Sequence, residues 1–382
     1  MSTFEASSLS RTPLYAEHRA LGARMVPFGG FEMPVQYGGI LKEHAAVRQR
    51  AGMFDLSHMA QYELRGEGVP AWADSLTVNN VATMKPLQAR YNIFTNPRGG
   101  CHDDVLFYRL PDRWLLVVNA ANASKMWPYL QDAATGRDDV RLESHHGSRA
   151  LIAVQGPRAV EIVASLCDVD AAAMPYYFCA EGRIGGAAAV IARTGYTGED
   201  GFELFLDGAA APQVWRMLLE RGAAAGLEPA GLGARDVLRL EAGMPLYGFE
   251  LSEDISPLAG GQRWAVKTNK PQFVGRDALV AQAERNDFDR IAGLVLEGRV
   301  PARAGYAVYA NGERVGEVRS ASLAPAFGNK NVATALVRNG AAAVGTDLAV
   351  EIRGTLHAAR VTALPFYKRA PSGSKKENDV PA

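Results

Sequence analysis

The sequence predicts an α+β protein in which helices alternating irregularly with short strands give way to a small antiparallel β-barrel. Three observations predict it. Runs of alternating apolar and polar residues, MAQYELRG (59–66), DVLFYRL (104–110) and WLLVVNA (114–120), read as strands between helical stretches. From Ile291 to Leu364 the helical pattern stops, and five short runs follow: IAGLVLEG, YAVYANGERVGEV, ATALVRNG, LAVEIRG and HAARVTAL. Among them, Asn311-Gly312 and Val344-Gly345-Thr346-Asp347 mark turns, and Asn-Gly between two alternating runs is a strong hairpin signal. Several strands joined by Gly turns over so short a span suggest a barrel.

The earlier elements follow from local signals. GGILKEHAAVRQRAGM (39–53) predicts an amphipathic helix closed by Gly52. ALIAV (150–154) is an apolar strand ended by Gln155-Gly156-Pro157, with Pro157 in the first turn of the next helix. Pro212 opens the helix PQVWRMLLERGAAAG, and GARDVLRLEAGM (233–244) is a further helix with Val237, Leu238 and Leu240 as core candidates. After the helix GRDALVAQAERN (275–286) the character changes, which places a domain boundary near 275–290. The segment from 369 to 382 is almost devoid of apolar residues and is expected to be a disordered tail. No period of 20–50 residues indicates a solenoid.

Composition limits the function classes. Forty-one Lys plus Arg balance 41 Asp plus Glu, which argues against a nucleic-acid binder working through bulk charge. Three cysteines without a CxxC pattern argue against a disulfide framework or structural zinc. No run has the length of a membrane helix, and MSTFEASSLSRTPLY lacks the apolar region of a secretory signal, so a reduced, cytoplasmic protein is expected.

Four segments could carry chemistry. In GGCHDDVLFY (99–108) three readings compete: a metal site on His102 and the two aspartates, a Cys101–His102 nucleophile, and one carboxylate aimed into a site from a strand start. Strand neighbours point to opposite faces, which weakens the first two. The bland alternative is that both aspartates cap a turn. RTGYTGEDGFELFL (193–206) makes close turns and becomes a strand on which Phe202 and Leu204 share one face and Glu203 takes the other. Glu203 then faces either a cavity or solvent. GLGARDVLRLEAG (231–243) lacks the third glycine of a dinucleotide fingerprint, and Arg235, Asp236, Arg239 and Glu241 read equally as a salt-bridged surface helix. His58, in FDLSHM, reads as a hydrogen-bonded core histidine, and Tyr91, Tyr176, Tyr177 and Tyr196 as core or as a stacking wall for a flat ligand.

Taken in order, the segments resemble the aminomethyltransferase, or T protein, family of the glycine cleavage system. The stretches that carry the resemblance include TPLYAEHRALGARMVPFGGFEMPVQY (12–37), EHAAVRQRAGMFDLSHM (43–59), NPRGGCHDDVLFYRL (96–110), RTGYTGEDGFEL (193–204) and PAGLGARDVLRLEAGMPLYG (229–248). The ordered set spans about residues 11–368. The resemblance implies a three-domain, cloverleaf-like folate-dependent fold with a central channel. Two intertwined subdomains would span 11–275 and the C-terminal antiparallel β-barrel 284–368. It implies transfer of an aminomethyl group's carbon from the dihydrolipoyl arm of the H protein to tetrahydrofolate, giving methylenetetrahydrofolate and ammonia. The lipoylated H protein would be a transient partner of a monomer, with no metal, nucleotide, nucleic acid or membrane involved.

The resemblance also implies site residues. Asp104 matches the family's key acid, Glu203 the folate-contacting Glu and Arg235 the Arg of GARD. Tyr91, Asn119, Tyr176 and Tyr196 match folate-site positions, and Tyr367 would contribute from the end of the third domain. Cys101 and His102 replace what are usually aliphatic residues, and Asn92, Ala60 and the segment 251–267 also depart from the common wording. The competing functions are a folate-dependent demethylase of a small methylated substrate and a non-catalytic folate-binding protein.

Overall fold

The computed structural model describes residues 9–298 and 300–370; the rest of the expected tail, from 371, lies outside the described residues. The described chain opens with α1 (Tyr15–Ala20) and a hairpin of β1 (Arg24–Phe28) and β2 (Phe31–Gln36). Next come α2 (Ile40–Gln49), β3 (Ala51–Asp55), β4 (Ala60–Arg65) and α3 (Val69–Leu76). The helix expected over 39–53 is therefore shorter, because its last residues are β3. Gly52 does not close it: a Cβ there would lie 2.3 Å from the buried Val47 side chain, so this glycine lets the strand pack against the preceding helix.

The strands β5 (Ala89–Thr95), β6 (Cys101–Arg109) and β7 (Trp114–Val118) then form an antiparallel sheet in the order β5-β6-β7-β4-β8, with α4 (Ala123–Ala133) leading into β8 (Arg141–Ser144). The chain next repeats the pattern. β9 (Arg149–Gln155), α5 (Ala159–Ala164), β10 (Cys179–Ile184), β11 (Ala187–Ala192) and β12 (Gly201–Asp207) give a second sheet, completed after α6 (Ala211–Gly222) by β13 (Leu227–Pro229). Its order is β10-β11-β12-β9-β3-β13. Thus β4-α3-β5-β6-β7 and β9-α5-β10-β11-β12 are two copies of one unit. Their edges meet in matched hydrogen bonds: Ala89 N donates to Tyr177 O and Cys179 N to Leu87 O, both at 2.8 Å. Leu87 (φ 60°) and Tyr177 (φ 64°) share the left-handed conformation that side chains disfavour. A search for short repeats does not reveal this long, diverged duplication.

The two sheets face each other, and helices cover their outer faces. Alternation along each strand divides the core accordingly. Phe107 and Val105 pack outward with Trp72 of α3 and Met126 of α4, whereas Tyr108 and Leu106 face the second sheet. On β12, Phe202 and Leu204 pack outward with Trp215 of α6, and Phe205 joins the shared interior. α7 (Leu232–Glu241) closes that interior with Ala234 and Leu238. It is no surface helix, since Arg239 and Glu241 are buried.

After α8 (Arg276–Arg285) come β14 (Arg290–Leu296), β15 (Ala307–Ala310), β16 (Glu313–Ala324), β17 (Lys330–Val337), β18 (Asp347–Ile352) and β19 (Thr355–Thr362). They form a closed barrel in the order β14-β17-β16-β15-β18-β19, sealed by β14 pairing with β19. Asn311 (φ 50°) and Gly312 (φ 81°) join β15 to β16 with both central residues left-handed, as a type I′ turn requires.

Candidate active site

The first cluster forms at the start of β6. A Cβ on Gly100 would lie 1.8 Å from the Glu253 carbonyl oxygen, so only glycine lets residues 252–255 close over this turn. Cys101 N then donates to Ser252 O at 2.8 Å, which fixes the register of the strand. Asp104 follows on the face that looks toward the second sheet. Its Oδ2 accepts from Tyr91 Oη at 3.1 Å and its Oδ1 from Asn119 Nδ2 at 2.9 Å. Burial pushes its pKa above the ordinary aspartate range, against the pull of those two hydrogen bonds. Asp103 is raised too, by burial and by the charge of Asp104, although its Oδ1 accepts from Asn119 and Asn122. The buried Asp103 and the half-buried Asp104 thus share the Asn119 amide, and in both the protonated form is favoured relative to an ordinary aspartate.

The neighbours expected to compete with Asp104 are engaged elsewhere. Burial and the nearby carboxylates push the Cys101 thiol well above its usual range, the wrong direction for a nucleophile. His102 Nδ1 lies 2.7 Å from Glu253 Oε1, which also accepts from Lys125 Nζ at 2.8 Å. Burial pulls Glu253 up, but Lys125, Asn96 and His102 together bring it down to about 2. Among the described residues, the one trio of potential ligand groups within metal-binding reach of each other is Glu63, Glu143 and His145, not His102 with the aspartates. Arg65, Arg113 and Arg149 occupy the Glu63 oxygens. Asn92 is structural: it bonds Thr77, the Asn79 backbone and its own chain neighbour.

The second cluster comes from β12 and the turns before it. Glu203 Oε2 accepts from Thr194 Oγ1 at 2.5 Å and Tyr108 Oη at 3.1 Å, which crosses from the first sheet. Glu203 is thus buried and faces the shared interior, not solvent. Arg235 lies over the Tyr196 ring, 4.6 Å from its centroid. Burial lowers the pKa of Arg235, while Tyr196 and Glu203 stabilise its charge. Tyr196 also feels the charge of Asp104, and its hydroxyl donates to Pro245 O. Asp104, Tyr196, Arg235 and Glu203 therefore form one electrostatically connected series across the gap between the sheets.

Two expected residues sit apart. Tyr176 is partly exposed and packs on Tyr177, within reach of the Glu203 charge. Tyr367 lies against Arg48, whose guanidinium carbon is 4.0 Å from the ring centroid, and does not touch Asp104 or Glu203 directly among the described contacts. Arg48 in turn pairs with Glu199 and Glu241 at 2.9 and 2.8 Å and donates to Thr197 O, so it clamps the 193–200 turns onto α7. Beside it, Arg239 pairs with Glu250 at 3.2 Å, and Glu250 takes the hydroxyl of Thr334 from the barrel.

Sequence reasoning missed Trp264, whose ring stacks on Tyr91 at 5.4 Å while remaining 58% exposed. It also missed Thr194 and Tyr108, the residues that orient Glu203. Thr194 lay within the segment already singled out, but Tyr108 belongs to the other sheet and no local signal joins the two.

Comparison with known proteins agrees with this architecture. The GCVT N-terminal domain matches residues 14–270, and the glycine cleavage T-protein C-terminal barrel domain matches residues 290–368. An aminomethyltransferase of Moorella thermoacetica is 46% identical over 364 residues, covering 95% of this chain and 99% of the relative. One of Deinococcus deserti is 47% identical over 363 residues, covering 95% and 98%. The crystal structure of the glycine cleavage system aminomethyltransferase T from Bartonella henselae superposes with a TM-score of 0.88 at 34% identity, covering 94% of this chain and 99% of that one.

Proposed function

The chain belongs to the glycine cleavage T-protein family and is an aminomethyltransferase, and on that premise we propose that it passes the carbon of an aminomethylated dithiol to tetrahydrofolate, with Asp104 as the central acid. The donor in this reading is the dihydrolipoyl arm of an H protein. The observation that carries it is a half-buried carboxylate, held by a phenol and an amide on the inner face of one sheet, with a buried carboxylate on the inner face of the other.

The chemistry follows from that geometry. The carbon–sulfur bond breaks with its electron pair remaining on sulfur, while the amine lone pair forms an iminium-like carbon. A folate nitrogen attacks this carbon and becomes positively charged. Asp104, held in place before the reaction by Tyr91 and Asn119, stabilises both charges and takes the proton from the attacking nitrogen. The proton then goes to the departing amine, which leaves as ammonia as the second folate nitrogen closes the ring. Its two nitrogens lose two hydrogens in all: one completes the ammonia and one protonates the thiol.

Glu203, held by Thr194 and Tyr108, has its other oxygen free to accept from the adjacent amino group and ring N–H of a pterin. Arg235 attracts a folate oxygen, and Tyr91, Asn119, Tyr176 and Tyr196 shape the slot, with Tyr367 supporting it from outside. The test is to mix the purified protein with tetrahydrofolate and aminomethyl-loaded H protein and to measure ammonia and methylenetetrahydrofolate. Both products should appear in equal amounts. No product from loaded H protein, but product from a methylated small molecule, would establish a demethylase instead.

A further inference from the structure

Packing accounts for the other tryptophans: Trp72, Trp114 and Trp215 are buried and Trp127 is half-buried. Trp264 is exposed, yet the chain holds it in one place. It stands on a single 3₁₀ turn, Arg263–Ala265, in the connection between α7 and α8. Its Nε1 donates to Gln262 Oε1 at 3.0 Å, and Gln262 N donates to Pro257 O at 2.7 Å. Lys267 Nζ donates to the Trp264 carbonyl at 2.8 Å. Lys267 N donates to Val78 O at 2.9 Å, which ties the turn to the segment between α3 and β5. Val266 belongs to the buried apolar cluster that contains Ile93 of β5 and Cys101 of β6.

The indole held in this way lies against Tyr91. The ring centroids are 5.4 Å apart and the planes 28° from parallel, an offset stack. On β5 it is Ile93, not Tyr91, that stands opposite Asp104. Tyr91 is a diagonal neighbour, and its hydroxyl reaches Asp104 Oδ2 at 3.1 Å because the ring leans along the sheet. Among the described residues, Asp104 is the one hydrogen-bond partner of that hydroxyl. One bond at the tip of a long side chain sets the direction of the ring poorly. The other clamp on Asp104 is built differently. Asn119 also donates to Asp103 Oδ1 at 2.9 Å, and its backbone N donates to Asp103 Oδ2 at 3.3 Å, so the sheet's own strands fix it.

We propose that Trp264 is a positioning residue for the transfer reaction, its indole holding the Tyr91 ring in the orientation from which the phenol donates to Asp104. This rests on the reading of Asp104 as the central acid. Each link is a direct contact: Gln262 to indole, indole to phenol ring, phenol to carboxylate. Without the indole the Tyr91 ring is free to turn away, and Asp104 keeps the Asn119 amide alone. The loss falls on the chemical step, which depends on the acid being fixed in advance.

The experiment measures kcat, the KM for aminomethyl-loaded H protein, and Tm. The proteins are wild type, Trp264→Leu, Trp264→Phe, Tyr91→Phe and the double variant Trp264→Leu/Tyr91→Phe. Trp264→Leu should lower kcat about tenfold while KM and Tm stay close to wild type. Trp264→Phe keeps a stacking ring and should recover most of that loss. In the Tyr91→Phe background, Trp264→Leu should cost nothing further, because no hydroxyl remains to be aimed. Equal losses with and without the Tyr91 hydroxyl would overturn the proposal. A rise in KM with kcat unchanged would also overturn it, making the indole a docking contact. A fall in Tm large enough to explain the lost activity would assign the indole to folding and overturn it as well. Near-wild-type turnover in Asp104→Asn, or no transfer by the wild type, would instead remove the reading on which the proposal rests.

Discussion

In the first of the two duplicated sheets the connection between β5 and β6 is five residues long, and that between β6 and β7 is a four-residue surface turn. In the second sheet the pattern is reversed. β10 and β11 are joined by Gly185-Gly186 alone, whereas eight residues, 193–200, separate β11 from β12. Each lengthened connection precedes the strand that carries an inward-facing acid, β6 with the half-buried Asp104 and β12 with the buried Glu203. Each is also held from outside its own sheet, the first by residues 252–255 and the second by Arg48. The common frame supplies two facing strands; the unequal turns decide where on each strand a carboxylate is held. The joint at Leu87 and Tyr177 shows that the frame itself stayed symmetric: Arg109 and Arg193 donate to the Met84 and Met174 carbonyls at 2.5 and 2.6 Å in the two copies.

The difference can be broken most severely from the second side. Arg48→Met leaves Glu199 buried without its cation and Glu241 with His44 alone, and breaking a buried pair costs about 3–5 kcal/mol. Denaturant unfolding should show a drop of that size; a change below about 1 kcal/mol would mean that the clamp is not structural. Asp104→Asn removes the acid of the first sheet and should lower turnover on the order of 10²–10³-fold, with the tetrahydrofolate Kd nearly unchanged. Near-wild-type rates would take Asp104 out of the mechanism. Glu203→Gln should do the opposite, weakening tetrahydrofolate binding by about 10- to 100-fold in titration, since a hydrogen bond to a charged group is at stake.

A pH experiment sharpens the contrast further. Burial raises the Asp103 carboxyl from the ordinary range to about 8, so its protonated form is favoured by folding. Its contribution to stability is complete below about pH 4 and is lost as the pH rises through the folded-state value. Asp103→Asn should therefore flatten the decline of Tm between pH 5 and 9, and an unaltered slope would show that Asp103 does not titrate in that window. The smallest effect belongs to the barrel. Gly312→Ala forces an alanine into a left-handed turn position and should cost about 1 kcal/mol with no change in Kd for folate.

Much of the frame was legible because it depends on local patterns. Alternation located β4, β6 and β7, Asn311-Gly312 located the β15–β16 hairpin, and the Phe202–Leu204 face correctly put Glu203 on the other side of its strand. What local patterns could not show was the identity of that other side. Glu203 became a buried group only because Tyr108, from another sheet, closes over it. The same holds for α7, where charges that suit a surface helix are buried because Arg48 and His44 of α2 and Ser320 of the barrel arrive from two distant segments to pair with them. Trp264 escaped notice for the reverse reason, since an exposed indole in a polar turn gives no periodic signal.

The barrel's contact with α7 has a consequence for how the protein is assembled. Glu241 receives the Ala326 amide, Arg239 donates to Ser320, and Glu250 is met by Thr334, so three charged groups of the N-terminal half find their last partners on barrel strands or the turn beside them. A chain cut ahead of β14 would leave those groups facing water or void, and α7 would lose the backing that holds Arg235 in place. The C-terminal unit is thus a counterweight to the binding slot: ligand affinity should be inseparable from whether the two halves are docked.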